Sequence, residues 1–311
     1  MKPVLFTSNK KLDRAENIKA IYDYYDGEKE FIQTFPREHN SRLSSKDYAL
    51  RVCDEFIGAS PGKAIMIGHA VSGGKTYGLH QPNPYHSRRN AELLTWVITS
   101  SPDMITLVAE QSGVDKSRVL PLGMPRTDYY IGKHKGDGNT QFSEKRMYLY
   151  APTFRNRTEG AMPSIDWGQI DNYLTDEEVL LVKPHMVTKH ILNHTYRHIY
   201  EIASDEPSAP YLIDCDVLIT DYSSIMFDAH ILMKPVVLFE KNKGYTDARG
   251  MYLEYPQEYS SRYCQNEKEL LEIIKSAQGQ NSIDIACRNK TASACDGKSR
   301  ERLSKLIKET I

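Results

Sequence analysis

Residues 216–239 read DVLITDYSSIMFDAHILMKPVVLF. Asp216–Thr220 is a short apolar run of strand type. Asp221-Tyr222-Ser223-Ser224 breaks it with polar residues. Ile225, Met226, Phe227, Ile231 and Leu232 then recur at helical spacing, and Pro235–Phe239 is a second strand-like run. A strand, a helix and a strand in so short a span argue for a parallel sheet covered by helices.

The same alternation extends outward in both directions. Pro3–Thr7, Ala64–Gly68, Leu94–Thr99 and Arg118–Leu122 are strand candidates, with a helical pattern over Asn17–Tyr25. Met147–Tyr150 and Glu178–Val182 continue the series. Glu267–Ser276 and Arg300–Ile311 read as helices, the latter with Leu303, Leu306 and Ile307 on one face. Residues 132–146 (GKHKGDGNTQFSEKR) hold three glycines and almost nothing apolar, a linker signature. The expectation is two similar α/β domains, residues 1–138 and 139–311. The C-terminal helix would pack back toward the first domain, and a ligand would sit in the cleft between the two.

Composition narrows the function. The chain has 311 residues, 40% hydrophobic and 26% charged, which excludes disordered, collagenous and coiled-coil classes. Forty basic residues against 41 acidic ones leave a net charge of −1, too little for a protein gripping nucleic acid by its phosphates. No apolar run reaches the ~18–20 residues of a membrane span, and the start is too short to be a signal peptide. Five cysteines with no CxxC pair suit a reducing cytoplasm without disulfides or a zinc site.

Four strand candidates end in polar groups. Ala64–Gly68 is followed by His69 and Gly73-Gly74-Lys75, and Met147–Tyr150 by Ala-Pro-Thr153-Phe-Arg155. Glu178–Val182 is followed by Lys183-Pro184-His185, and Asp216–Thr220 by Asp221-Tyr-Ser-Ser224. Ligands of open α/β sheets bind beyond the carboxyl ends of the strands, so these groups mark one polar edge. Ser223 and Ser224 precede a helix, whose N-terminus offers free N–H groups to a phosphate; the same serines also suit a plain cap. His69, beside a Gly-rich turn, can accept a proton at neutral pH, or be a hydrogen-bonded structural residue.

Three other patterns carry less. Gly73-Gly74-Lys75-Thr76 fails as a phosphate-binding P-loop because position 69 is His69, not glycine. Asp214-Cys215-Asp216 resembles a metal-binding DxD, but it precedes its strand and so faces away from the ligand edge. His190, His194 and His198 share one face of an expected helix without an acidic partner, which reads as a solvated face.

Taken in order, Tyr150-Ala-Pro-Thr-Phe-Arg155, Lys183-Pro-His185, Asp216–Ser224, Lys234-Pro235-Val-Val-Leu-Phe239 and Asp296-Gly297 form a recognisable set. The set resembles the CDP-glycerol:glycerophosphotransferase family, which builds teichoic acids and related capsule polymers. His69–Gly78 and Gly123-Met-Pro-Arg-Thr-Asp128 look like two further family segments. The likeness runs from about residue 64 to 302 and departs from the family's usual pattern at Ala70 and Met186.

The resemblance implies a GT-B architecture, two Rossmann-like domains with parallel sheets facing a central cleft. It implies transfer of a polyol phosphate from CDP-glycerol, or CDP-ribitol, to a hydroxyl of a glycan, lipid-linked or polymer acceptor, with release of CMP. His69 becomes the candidate base, with His80 and His86 behind it, and His185 the candidate stabiliser of the donor phosphates. Thr153, Arg155, Lys183, Asp221, Ser223, Ser224, Asp296 and Gly297 would hold the donor. Gly73, Gly74 and Lys75 would lie on the acceptor side. No cofactor and no obligatory metal are expected. The enzyme would work in the cytoplasm, with possible peripheral contact at the inner face of the membrane. Two other readings share the fold: a glycosyltransferase using a nucleotide-sugar, and a non-catalytic nucleotide-binding regulator.

Overall fold

Unbroken apolar runs suit strands covered on both faces. Val4–Ser8, Glu178–Val182, Val217–Thr220 and Val236–Phe239 are indeed buried from end to end. The computed structural model describes residues 2–34, 48–54, 62–68, 70–76, 78–80, 91–155, 163–188, 190–241 and 250–311. The chain divides into two compact units, residues 1–131 with 289–311, and residues 132–288.

The first unit contains β1 (Val4–Ser8), α1 (Glu16–Tyr24), β2 (Lys29–Gln33), β3 (Leu50–Cys53), β4 (Ala64–Met66), β5 (Trp96–Ile98), α2 (Ile105–Ser112) and β6 (Val119–Leu120). Its sheet runs β2-β1-β3-β4-β5-β6, with every pairing parallel. The second unit contains β7 (Arg146–Tyr150), α3 (Trp167–Tyr173), β8 (Glu178–Val182), β9 (Ile199–Glu201), α4 (Ala209–Asp214) and β10 (Val217–Thr220). It continues with α5 (Ile225–Ile231), β11 (Val236–Phe239), β12 (Tyr263–Cys264) and α6 (Glu267–Ser276). Its sheet runs β12-β11-β10-β7-β8-β9, again all parallel. Helix α7 (Ser282–Ala292) leads back to the first unit, and α8 (Ser299–Thr310) ends the chain. Among the described residues no helix is long and apolar enough to cross a membrane.

Two expectations about boundaries change. The break falls between residues 131 and 132 rather than after 138, and residues 289–311 belong to the first unit. The reason is packing: Leu303 and Ile307 of α8 join Phe6, Ile18, Ile21 and Val52 in the core of that unit. The stretch read as a linker is ordered within the second unit. The Asp214 carboxylate accepts from the Gly136, Gly138 and Thr140 amides at 2.8–2.9 Å and from the Thr140 hydroxyl at 2.7 Å. A side chain at Gly138 would lie 2.1 Å from the Pro210 carbonyl oxygen, so glycine is required for that approach. Asp216 accepts from the Met147 amide at 2.7 Å and pairs with Lys135 at 2.5 Å. The DxD-like pair therefore ties down a turn.

The segment Gly123–Asp128 clasps the returning chain. Asp128 accepts from the Ser299 and Arg300 amides at 3.0 and 2.8 Å, capping the start of α8, and from Arg300 Nε at 3.2 Å. Gly123 sits at φ +82°, and a Cβ there would lie 2.3 Å from the Ala294 carbonyl oxygen. Arg302 donates to the carbonyls of Leu122 and Ala294 from the other side. Asp128→Ala is expected to lower the unfolding free energy by about 1–3 kcal/mol, the scale of a lost cap with charge-assisted bonds. Gly123→Ala should cost more, through backbone strain and collision together. Urea denaturation checks both; an unchanged midpoint for D128A would remove the clasp from this account.

Candidate functional site

The strand order of the second unit reverses once. Building starts at β7, proceeds outward through β8 and β9, then restarts at β10 on the other side and proceeds through β11 and β12. Ligands of such sheets bind outside the carboxyl ends of the strands at this reversal. The reversal lies between β7 and β10, where Val217, Leu218 and Ile219 pair with Tyr148, Leu149 and Tyr150. The loops that leave those ends are Ala151–Arg155 and Asp221–Ser224, far apart in sequence and joined here.

Asp221 makes the joint. Its Oδ1 accepts from the Thr153 amide at 2.8 Å and from the Tyr222 amide at 2.6 Å. Its Oδ2 accepts from Arg155 Nη2 at 2.7 Å, and Arg155 Nη1 returns a bond to the Thr153 carbonyl at 2.9 Å. Both side chains of the ion pair are only 4% exposed, so solvent does not compete for them. The guanidinium also lies 5.5 Å from the centre of the Tyr222 ring. Arg155, expected to meet donor phosphates, is thus already engaged by a carboxylate.

The neighbouring strand ends complete the edge. After β8, Lys183 continues the ladder to Tyr150 through its amide, at 2.8 Å. Its buried ammonium is held by the carbonyls of Pro184 and Ser204, each at 3.0 Å. His185 is half-buried, its ring 4.6 Å from that of Phe154. After β10, Ser223 and Ser224 are half-buried at the start of α5. Ser224 takes the cap position with φ −63° and ψ −9°, and its hydroxyl makes no capping bond, so the plain-cap reading of this serine is not what the fold uses. After β11, the buried Glu240 accepts from the hydroxyls of Tyr222 and Tyr263. Tyr255 donates to the Asp221 carbonyl at 3.4 Å. Burial first, and then Glu240, push the Tyr222 phenol far above its ordinary value. Glu240 escaped the sequence reading, although it follows an apolar run as the other edge residues do.

His69 and His86 fall outside the described residues; His80 is exposed. Gly73 and Gly74 follow β4 in the first unit, with Lys75 half-buried beside them. The turn is fastened by the Ser72 amide donating to Ser100 Oγ at 3.0 Å, while Ser100 donates to the Thr291 carbonyl at 2.5 Å. Asp296 and Gly297, expected with the donor, belong to the first unit. Asp296 receives two bonds from Arg302 at 2.8 and 2.9 Å, which hold its carboxyl below the usual range. Those bonds fasten the chain's return within the first unit. His190, His194 and His198 lie on no helix. His190 pairs with Glu201 at 2.8 Å, and the His198 amide donates to Asp171 at 2.8 Å.

Residues 59–309 match the family described as CDP-Glycerol:Poly(glycerophosphate) glycerophosphotransferase. The chain belongs to this family. Among curated relatives, a teichoic acid poly(ribitol-phosphate) polymerase of Bacillus spizizenii is 29% identical over 68% of this chain and 37% of its own length. A teichoic acid glycerol-phosphate primase of Bacillus subtilis is 27% identical over 80% of this chain and 68% of its own. The chain therefore spans between about a third and two-thirds of the length of these relatives. The solved wall teichoic acid polymerase TagF matches with a TM-score of 0.77 at 19% identity, over 99% of this chain and 89% of that one. At such identity the likeness carries the fold, two Rossmann-like α/β units of the GT-B type, as the sequence resemblance implied.

In this chain the Asp221 clamp is testable by itself. Asp221→Ala leaves the Arg155 guanidinium buried without its carboxylate, which is expected to destabilise the second unit by about 3–5 kcal/mol. Asp221→Asn, which keeps an oxygen acceptor, should cost less. A D221A protein that unfolds in urea within about 1 kcal/mol of wild type, the scale of an ordinary substitution, would refute the clamp.

Proposed function

We propose that the chain transfers a polyol phosphate, glycerol phosphate foremost, from a CDP-activated donor to a hydroxyl of a glycan, lipid-linked or polymer acceptor. The observation that carries this reading is the meeting of the YAPTFR and DYSS segments at the reversal of the second sheet, in a chain of this family. The acceptor oxygen attacks the phosphorus that bears the polyol. A new P–O bond forms, the bridge to the α-phosphate breaks, and CMP leaves. The acceptor proton goes to His69. Phosphoryl transfer asks chiefly for placement and charge stabilisation, which suits a site of fixed N–H and hydroxyl donors.

The donor phosphates rest on the amides and hydroxyls of Ser223 and Ser224, with Thr153, Lys183 and His185 beside them. Arg155 and Asp221 hold the frame rather than the ligand, because each already satisfies the other. Gly73, Gly74 and Lys75 serve the acceptor side with His69. Asp296 is left out, its carboxylate being engaged by Arg302. The enzyme works at the inner face of the membrane by peripheral attachment. A protein that stays with membranes through a high-salt wash would contradict an electrostatic attachment.

Mass spectrometry of products from CDP-glycerol and CDP-ribitol, with CMP release measured in parallel, tests the reaction. Consumption of a nucleotide-sugar instead would overturn it. His69→Ala should leave CDP affinity nearly intact, because a base acts on the transition state. Transfer should fall by ~10²–10⁴-fold, the range for a lost general base. Replacing Ser223 and Ser224 together by valine should weaken CDP binding by roughly 10- to 150-fold, equivalent to ~1.5–3 kcal/mol for a charge-assisted bond. Calorimetry that finds unchanged affinity in the folded double variant would remove this phosphate site.

A further inference from the structure

Phe154 sits between two residues that turn toward β10. Thr153 gives its amide to Asp221, and Arg155 gives its guanidinium to the same carboxylate. Phe154 instead meets the end of β8, where its ring lies against His185 with centroids 4.6 Å apart and planes inclined at 37°. The sheet order β8-β7-β10 makes both contacts reachable from one strand end. The imidazole is fixed a second time. The Val187 amide donates to His185 Nδ1 at 3.4 Å, and the Thr188 amide closes the turn onto the His185 carbonyl at 2.7 Å. An Nδ1 that accepts a hydrogen bond cannot carry the proton of a neutral ring, so that proton sits on Nε2.

We infer that Phe154 is the positioning residue for His185, and that His185 serves the donor as a neutral imidazole donating through Nε2–H. The inference rests on the proposed placing of His185 at the donor phosphates. It replaces a diffuse positive charge by one directed hydrogen bond, which gains from being held still before the substrate arrives. The ring packing limits rotation about the His185 side chain, and the Val187 amide selects the tautomer. Neither contact reaches the donor itself, so their loss acts through His185.

Paired variants in single-turnover transfer from CDP-glycerol test this, with donor affinity measured by calorimetry. His185→Gln carries an N–H near the Nε2 position, and His185→Asn carries its amide near Nδ1. H185Q should keep at least about tenfold more transfer than H185N. Phe154→Leu should lower the rate by about 10- to 100-fold, the effect of misplacing a reacting group, with donor affinity changed less than threefold. Phe154→Tyr should restore most of it. Between about pH 5.5 and 8.5, where an ordinary imidazole near ~6.5 titrates, wild-type kcat/KM should rise to a plateau without an alkaline fall. Nitrogen NMR of the His185 ring in the free protein should show Nε2 protonated and Nδ1 bare. If H185A transfers at the wild-type rate, the placing of His185 fails and the inference falls with it. If H185A is inactive, the inference alone is overturned by any of three results: an F154L rate equal to wild type, H185N exceeding H185Q, or an alkaline fall that disappears in H185Q.

Discussion

The carboxylate of Asp221 lies where the second sheet reverses its winding, and it receives three hydrogen bonds from two loops that β7 and β10 send past their ends. A buried ion pair is weak evidence for net stability, since desolvation of two charges costs several kcal/mol each and the mutual attraction roughly returns it. Its contribution is geometric. It adds to the sheet's own tie, in which the Thr220 hydroxyl donates to the Ala151 carbonyl at 2.6 Å. With it, Thr153 and the start of α5 are fixed relative to each other before any ligand binds. Preorganised donors of this kind need no rearrangement when charge develops on a transferring group.

That arrangement also redistributes charge. Arg155 reads from the sequence as a cation for the pyrophosphate, yet a cation paired at 2.7 Å with a buried carboxylate contributes little net field. At the start of α5 the Met226 and Phe227 amides turn onto the Ser223 and Ser224 carbonyls, at 3.2 and 3.1 Å, which tightens the DYSS turn itself. Glu240 reinforces the same design from behind, by holding the Tyr222 and Tyr263 hydroxyls. Tyr222 follows Asp221 directly, so a ring anchored at Glu240 also limits how far the DYSS turn can move.

Much of the fold was legible because parallel strands are buried on both faces and appear as unbroken apolar runs. β8 and α6 match the bounds read from the sequence. The strands that escaped lack that signal. β2 (KEFIQ) is partly exposed at a sheet edge, β3 (LRVC) carries the buried Arg51 at its centre, and β9 and β12 are edge strands of three and two residues. Composition misled at 132–146, because glycines that let amides crowd a buried aspartate look the same in sequence as glycines of a loose linker. Spacing misled at His190–His198, where a four-residue repeat had no apolar stripe to hold a helix. Strand order was illegible throughout, and with it the neighbourhood of Arg155 and Asp221, which are 66 positions apart.

The strand order also explains why threonine, phenylalanine and arginine stand consecutively after β7. β7 has β10 on one side and β8 on the other; positions 153 and 155 meet Asp221 after β10, and position 154 meets His185 after β8. Inserting or deleting a residue between Tyr150 and Arg155 would move these residues off the partners they now meet. The carboxylate would lose its guanidinium and the imidazole its ring support in the same step. The spacing of the segment is therefore set by the sheet beneath it, and the chemistry of each position by the strand end it faces.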